Sequence, residues 1–171
     1  MTEEKLNIAI IPAAGLGSRM HADRAKQMLE LSGVPLLVHT LRRFEQCDAI
    51  DQVILVLQPS LTSDVLGLVS RHNLKKIARV VAGGAERQDS VYRGLQVIKP
   101  ETAGIVAVHD AVRPFVRPEE IRAVVARAES TGAAILAQAA IDTIKHVTKS
   151  RVTRTLDRRR VYHAQTPQAF R

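Results

Sequence analysis

The chain has 171 residues, 46% of them apolar and 25% charged, proportions of an ordinary globular protein that exclude collagen-like, coiled-coil and disordered classes. It is long enough to bury one core, and no repeat, low-complexity tract or linker divides it, so one domain is expected. The net charge of +8 is concentrated at one end: between 145 and 171 there are eight Lys or Arg against the single acid Asp157, a block that can be a solvated face, a nucleic-acid patch or a site for small phosphates.

Leu6 to Pro12 is a short apolar run that empties into Ala13-Ala14-Gly15-Leu16-Gly17, the pattern of a buried strand followed by a glycine loop. Pro35 to Cys47 opens with a proline suited to a first helical turn and carries Leu37, Leu41 and Phe44 at helix spacing. Gln52 to Leu57 reads as a second strand, Leu61 to His72 as a helix, Ile77 to Ala82 as a third strand, and Gly83-Gly84 breaks the chain before a helix over 89–97. Ile105 to His109 is a fourth strand, Pro118 to Ser130 a helix with Ile121, Val124, Val125 and Ala128 on one face, and Ala133 to Ala139 a fifth strand. Buried strands alternating with amphipathic helices imply parallel pairing through right-handed crossovers, hence a three-layer α/β/α sandwich whose ligands bind beyond the carboxyl ends of the strands. From Ile141 onward β-branched residues mix with charges without helical period, and 141–165 is expected to be an extended antiparallel arm.

Several chemistries are excluded. Cys47 is the only cysteine, so no internal disulfide or thiolate cluster can form, and a buried structural thiol is expected. The six histidines show neither His-x3-His nor His-Glu-x2-His spacing, which removes the usual zinc-enzyme patterns. The apolar stretches fall far short of the roughly 20 residues of a membrane helix, and the opening Met-Thr-Glu-Glu-Lys lacks the regions of a secretory signal; a cytoplasmic protein with no membrane partner is expected. Aromatic residues make up 3% of the chain, too few for the stacking platforms of single-stranded nucleic-acid binders.

Three loops carry the candidate chemistry. In the first, Pro12 to Met20, residues without bulky side chains let backbone N–H groups approach a polyphosphate, Arg19 adds a fixed cation, and Lys26 follows seven residues later. It is not a Walker loop, since no Gly-Lys-Ser/Thr occurs, and Met20 stands where a dinucleotide fingerprint needs its third glycine. In the second, Gly83-Gly84-Ala85-Glu86-Arg87-Gln88-Asp89-Ser90, one of Asp89 and Ser90 is expected to cap the next helix and leave the other for base or ribose. The third, Val108-His109-Asp110-Ala111-Val112-Arg113-Pro114, places a carboxylate at a strand end, where it can hold Mg²⁺ or stabilise a turn; His109 reads as a hydrogen-bonded structural histidine.

Together PAAGLGSRM, Lys26-Gln27, GGAERQDSV, VHDAVRP, DTIK (142–145) and AQTPQAF (164–170), in order along the chain, resemble the 2-C-methyl-D-erythritol 4-phosphate cytidylyltransferases of the non-mevalonate isoprenoid pathway. The resemblance implies a doubly wound, mostly parallel, Rossmann-like nucleotidyltransferase sheet, with the arm at 141–165 exchanging contacts in a homodimer. It implies transfer of CMP from CTP to 2-C-methyl-D-erythritol 4-phosphate with release of pyrophosphate. By motif position Arg19 and Lys26 match the catalytic cations; Ala13, Ala14, Gly15, Gly17, Gly84 and Ser90 match positions around CTP; Asp110 matches a Mg²⁺ ligand; Thr143 and Arg158 match the acceptor site. Chains of this family continue for several dozen residues beyond the TPQ motif, so 1–171 is expected to be a nucleotidyltransferase domain lacking its C-terminal segment. Two alternatives stand beside this reading. The related ribitol-5-phosphate cytidylyltransferases share the glycine loop and TPQ, although PAAG and GGAERQDSV favour methylerythritol, and a non-catalytic nucleotide-binding or dimerisation module would use the basic end of the chain.

Overall fold

A computed structural model describes residues 5–15 and 25–171. Its centre is β1 (Leu6–Ala13), which pairs in parallel with β4 (Gln52–Leu57) on one side and β6 (Ala103–Val108) on the other. Outside β4 lies β5 (Ile77–Ala82), also parallel. Outside β6 come β10 (Tyr162–Phe170) and then β7 (Ala133–Ala139), giving the order β5-β4-β1-β6-β10-β7. Only β10 runs against the others, antiparallel to both of its neighbours.

Alternation along β1 and β4 explains the layers. Ala9, Ile11, Ala13, Val53, Leu55 and Leu57 point to one core with α1 (Leu36–Glu45), α2 (Thr62–Arg71) and α4 (Pro118–Thr131). Ile8, Ile10, Ile54 and Val56 point to the other, against Val91 of α3 (Arg87–Gln96) and the Val97-Ile98 that follows it. Successive strand residues face opposite sides, so a strand covered on both faces is apolar throughout, which is why these segments show no polar alternation. Gly94 lets α3 approach the sheet: a Cβ there would stand 2.8 Å from Ile10 Cγ2. Local signals set the helix ends. Glu120 accepts the Arg117 N–H at 2.9 Å, Pro118 opens the first turn of α4, and Gly132, at φ 89°, closes it by donating its N–H to Ala128 O at 2.7 Å.

Every strand and helix expected up to residue 139 is present, with ends shifted by one or two residues. The turn after the first loop adds a small hairpin of β2 (Glu30–Leu31) and β3 (Val34–Pro35). The stretch read as an arm divides in two. A separate hairpin, β8 (Lys145–Thr148) and β9 (Arg151–Thr155), turns at Lys149-Ser150, both with positive φ as a two-residue hairpin turn of this hand requires. From Tyr162 the chain re-enters the main sheet as β10 rather than staying in the arm. Pro167 disguised this strand, because a proline removes a ladder N–H; the register of β10 on β7 shifts between Ala164 and Gln168, and Pro167 sits in that irregularity.

Candidate functional site

The carboxyl ends of β1 and β6 and the loop after β5 open on one cleft of about 330 Å³. Ala13, Ala14 and Gly15 form one wall, Gly84 to Arg87 with Ser90 another, Asp110 to Val112 a third, and Lys26 with Gln27 the fourth. Of the residues singled out in sequence, the structure therefore brings together Ala13, Ala14, Gly15, Gly84, Ser90, Lys26 and Asp110. Gly17 and Arg19 lie outside the described residues. Thr143 and Arg158 are exposed, do not line the cleft, and belong to the base of the arm, where Arg158 donates to the Ile141 carbonyl at 2.7 Å.

The two glycine loops touch. A Cβ on Gly83 would fall 2.1 Å from the Ala14 Cβ, so only glycine allows this approach. Asp89 caps α3, accepting the Glu86 N–H at 3.0 Å. Ser90 is tied into the same loop, accepting from Gly84 N–H at 3.1 Å and donating to the Glu86 carbonyl at 3.2 Å. Because α3 starts at Arg87, and Glu86, Arg87 and Ser90 line the cleft, its amino end lies there, a favourable place for anionic oxygens.

Asp110 sits between two arginines. Its Oδ1 accepts from Arg87, at 2.9 Å from Nε and 2.8 Å from the neighbouring guanidinium nitrogen, and its Oδ2 accepts from Arg113 Nε at 2.9 Å. Burial pushes the Asp110 carboxyl up, but the hydrogen bonds and charges of Arg87 and Arg113 outweigh it and hold the group below the ordinary carboxylate value. Arg113 is itself held by the Gln165 side chain. Arg87, Arg113 and Gln165 were not singled out in sequence, since an arginine in a loop gives no period or spacing that marks it; the signal for Arg87 was its place at a helix start after two glycines.

The buried polar side chains share a common use. Five polar residues are buried among the described residues: Gln27, Thr40, Ser90, His109 and Thr166. Each bonds to loop backbone at the cleft or beside it. Gln27 Nε2 donates to Ala13 O at 2.7 Å, Thr40 Oγ1 to Ala111 O at 2.8 Å, and Thr166 Oγ1 accepts the Asp110 N–H at 3.3 Å. His109 Nε2 meets the Arg113 carbonyl at 3.1 Å, with its ring against Phe44 at 5.1 Å. Burial pushes the His109 imidazole down to about 4, so it is neutral and structural, as its sequence position implied. Buried polar groups are costly unless bonded; here that cost is spent on fixing loops rather than on the core. Cys47 is buried, and burial raises its thiol pKa, which leaves an inert thiol.

The family model described as 2-C-methyl-D-erythritol 4-phosphate cytidylyltransferase matches residues 7–171. The chain is 44% identical over 164 residues to the 2-C-methyl-D-erythritol 4-phosphate cytidylyltransferase of Bacillus velezensis, covering 96% of this chain and 70% of that protein. It is 46% identical over 165 residues to the enzyme of the same name from Pelotomaculum thermopropionicum, covering 95% and 69%. Among solved structures, the 4-diphosphocytidyl-2C-methyl-D-erythritol synthase of Anaerococcus prevotii superposes with a TM-score of 0.85 at 30% identity, over 97% of this chain and 71% of that one.

Proposed function

Since the chain belongs to the 2-C-methyl-D-erythritol 4-phosphate cytidylyltransferase family, we propose that its cleft seats the triphosphate of CTP between the two glycine loops, with Lys26 and Arg19 as the cations of the reaction. The family's reaction transfers CMP from CTP to 2-C-methyl-D-erythritol 4-phosphate. A phosphate oxygen of the acceptor forms the new bond to the α-phosphorus, the bond from that phosphorus to the bridging oxygen breaks, and its electron pair leaves with pyrophosphate. An ionised phosphate is already a nucleophile, so no general base or covalent intermediate is required; positioning and charge stabilisation carry the rate.

The observation that carries the residue roles is the convergence of Ala13 to Gly15, Lys26, Gly84, Ser90 and Asp110 on one cleft. Backbone N–H groups of the loops and the amino end of α3 bind phosphate oxygens, and Lys26 neutralises charge that grows as pyrophosphate departs. Asp110 fits a Mg²⁺ ion: it is a hard oxygen donor held ionised at the cleft, and Oδ2 keeps a lone pair beyond its bond to Arg113. An ion of this kind takes one or two carboxylates and completes its shell with phosphates and water. Bound there, Mg²⁺ would screen the triphosphate.

Thr143 and Arg158 belong in this reading to the acceptor site, and the basic arm at 141–165 to a homodimer; Ile141, Val147, Val152 and Tyr162, 75%, 55%, 62% and 60% exposed, are apolar surface available for it. Nucleic acid has no place in it. No described helix is long and apolar enough to cross a membrane, and a cytoplasmic enzyme fits soluble phosphorylated substrates.

The test is Lys26→Ala. Removing a cation that acts in the transition state lowers kcat more than it raises KM for CTP, by ~100-fold or more, while the thermal midpoint stays within a degree or two because a cleft-edge lysine carries little buried area. Near-normal kcat in the folded variant would reduce Lys26 to a solvated charge.

A further inference from the structure

Lys26 belongs to a single 3-10 turn, Lys26–Met28, closed by Met28 N–H to Ala25 O at 2.8 Å and Leu29 N–H to Lys26 O at 3.2 Å. Below the turn, Met28 packs on the core under α1. An apolar contact of this kind fixes depth but not rotation, because dispersion and burial have no direction. The C-cap Leu29 is tied to α1 by the Leu36 N–H at 2.8 Å, and the directional tie to the cleft is the neighbouring residue. Gln27 is 3% exposed, and its amide Nε2 donates at 2.7 Å to the carbonyl of Ala13, the last residue of β1 and the first of the wall facing Lys26. One hydrogen bond thus joins the backbone that carries the lysine to the backbone that begins the phosphate cradle, across fourteen positions of sequence.

We propose that Gln27 is a positioning residue for the transfer reaction: its amide locks the Lys26 turn to the carboxyl end of β1 and thereby sets where the ammonium stands over the α-phosphorus. The proposal rests on the reading of Lys26 as the transition-state cation. Glutamine suits the task. Its neutral donor satisfies a buried carbonyl without adding charge next to a triphosphate, whereas a lysine or arginine would bring a second cation and an apolar side chain would leave the Ala13 carbonyl unpaired. A lateral error of about 1 Å in a catalytic group can cost on the order of 100-fold in rate, so one buried bond can control turnover without touching substrate.

The experiment is a double-mutant cycle in CTP-dependent pyrophosphate release, using Gln27→Met, Lys26→Ala and the pair. Gln27→Met keeps length and volume but removes the donor. The expected result is a fall in kcat of roughly 10- to 100-fold for Gln27→Met with KM for CTP changed less than threefold. In the Lys26→Ala background the same substitution is expected to cost less than threefold more, because there is no ammonium left to misplace. If Gln27→Met costs the same factor in both backgrounds, Gln27 acts on the cradle or the fold and the proposal fails. If Gln27→Met is silent while Lys26→Ala is slow, the proposal fails and the reading of Lys26 stands; if Lys26→Ala is itself silent, that reading fails first. Gln27→Glu guards against a misfolded methionine variant. Its protonated carboxyl can donate to Ala13 O and its carboxylate cannot, so its kcat, relative to the parent, is expected to recover as pH falls through the carboxyl's pKa. A ratio independent of pH in a folded Gln27→Glu protein overturns the proposal.

Discussion

The two halves of the sheet are supported differently. In the β4–β1–β6 strip both faces are covered, and Ile10, Ile54, Leu55, Ile105 and Ala107 are almost or wholly inaccessible. In β10 and β7 only one face is. Ala134 and Leu136 pack toward α4, whereas Ile135 and Phe170 remain 50% and 47% exposed, and every residue of β8 and β9 is exposed. The proposed nucleotide cleft stands on the first half, where loop ends inherit fixed positions from strands buried on both sides; of the five buried polar side chains that hold those ends, Thr166 alone comes from β10. Thr143 and Arg158 stand on the second, where no comparable packing holds them among the described residues. On the proposed reading, the nucleotide site is built into the fold, whereas the residues proposed for the acceptor are presented on an exposed arm.

A direct way to break this contrast is to truncate one side chain in each half. Leu55→Ala removes a fully buried leucine from β4 and is expected to cost about 2–5 kcal/mol, transfer plus cavity. Ile135→Ala in β7 removes an exposed isoleucine and is expected to cost under about 1 kcal/mol. Urea unfolding of both variants checks it. Equal losses would mean that β7 is as well supported as β4, and the contrast would fall.

The same contrast decided what the sequence revealed. Strands covered on both faces are uniform apolar runs, so Leu6 to Pro12 and Gln52 to Leu57 were legible at once, as were helices with one apolar face such as Pro118 to Ser130. Strand β10 was not. Its Tyr-His-Ala-Gln-Thr-Pro-Gln-Ala-Phe carries polar residues and a proline, and its antiparallel insertion between β6 and β7 depends on long-range pairing that leaves no local signature. In the site, Lys26, Asp110 and the glycines stood out because their residue types announce phosphate and metal chemistry. Gln27, Thr40 and Thr166 act by bonding to a distant carbonyl or N–H, and such a partner becomes visible only when the loops are brought together.

His109 tests the covered half by pH. It is neutral in the fold, with a pKa lowered by burial to about 4 from an ordinary 6.5. Below 6.5 the unfolded chain takes up a proton that the folded one refuses, so stability is full above pH 6.5 and declines as pH falls toward 4. At about 1.4 kcal/mol per unit, the loss approaches about 3 kcal/mol. Asp110 works in the same direction but lower: its depressed pKa contributes stability that is present above the unfolded value and lost as pH falls through the folded one. Urea titrations with chelator at pH 7, 5.5 and 4.5 are expected to show the decline in the parent and a shallower one in His109→Gln. Identical slopes would show that His109 is solvated and that the strand end is looser than its burial implies.

The smallest effect on the fold is expected in the arm, and its smallness is the point. Val147 and Val152 are register partners across β8 and β9, 55% and 62% exposed, so they form an apolar pair on one face of an isolated hairpin. Changing both to threonine keeps the β-branched shape that suits a strand and removes only apolar surface that solvent already reaches. The unfolding free energy of the monomeric protein should therefore change by no more than about 0.5 kcal/mol. Self-association should weaken, because burying two such pairs against a partner arm gains apolar area that threonine lacks, and threonine adds the cost of desolvating its hydroxyl. Sedimentation across a concentration series tests the proposed homodimer, with the double variant expected to be more monomeric than the parent at equal concentration. A large stability loss with unchanged association would place the hairpin in the folded core's support and remove it from the interface.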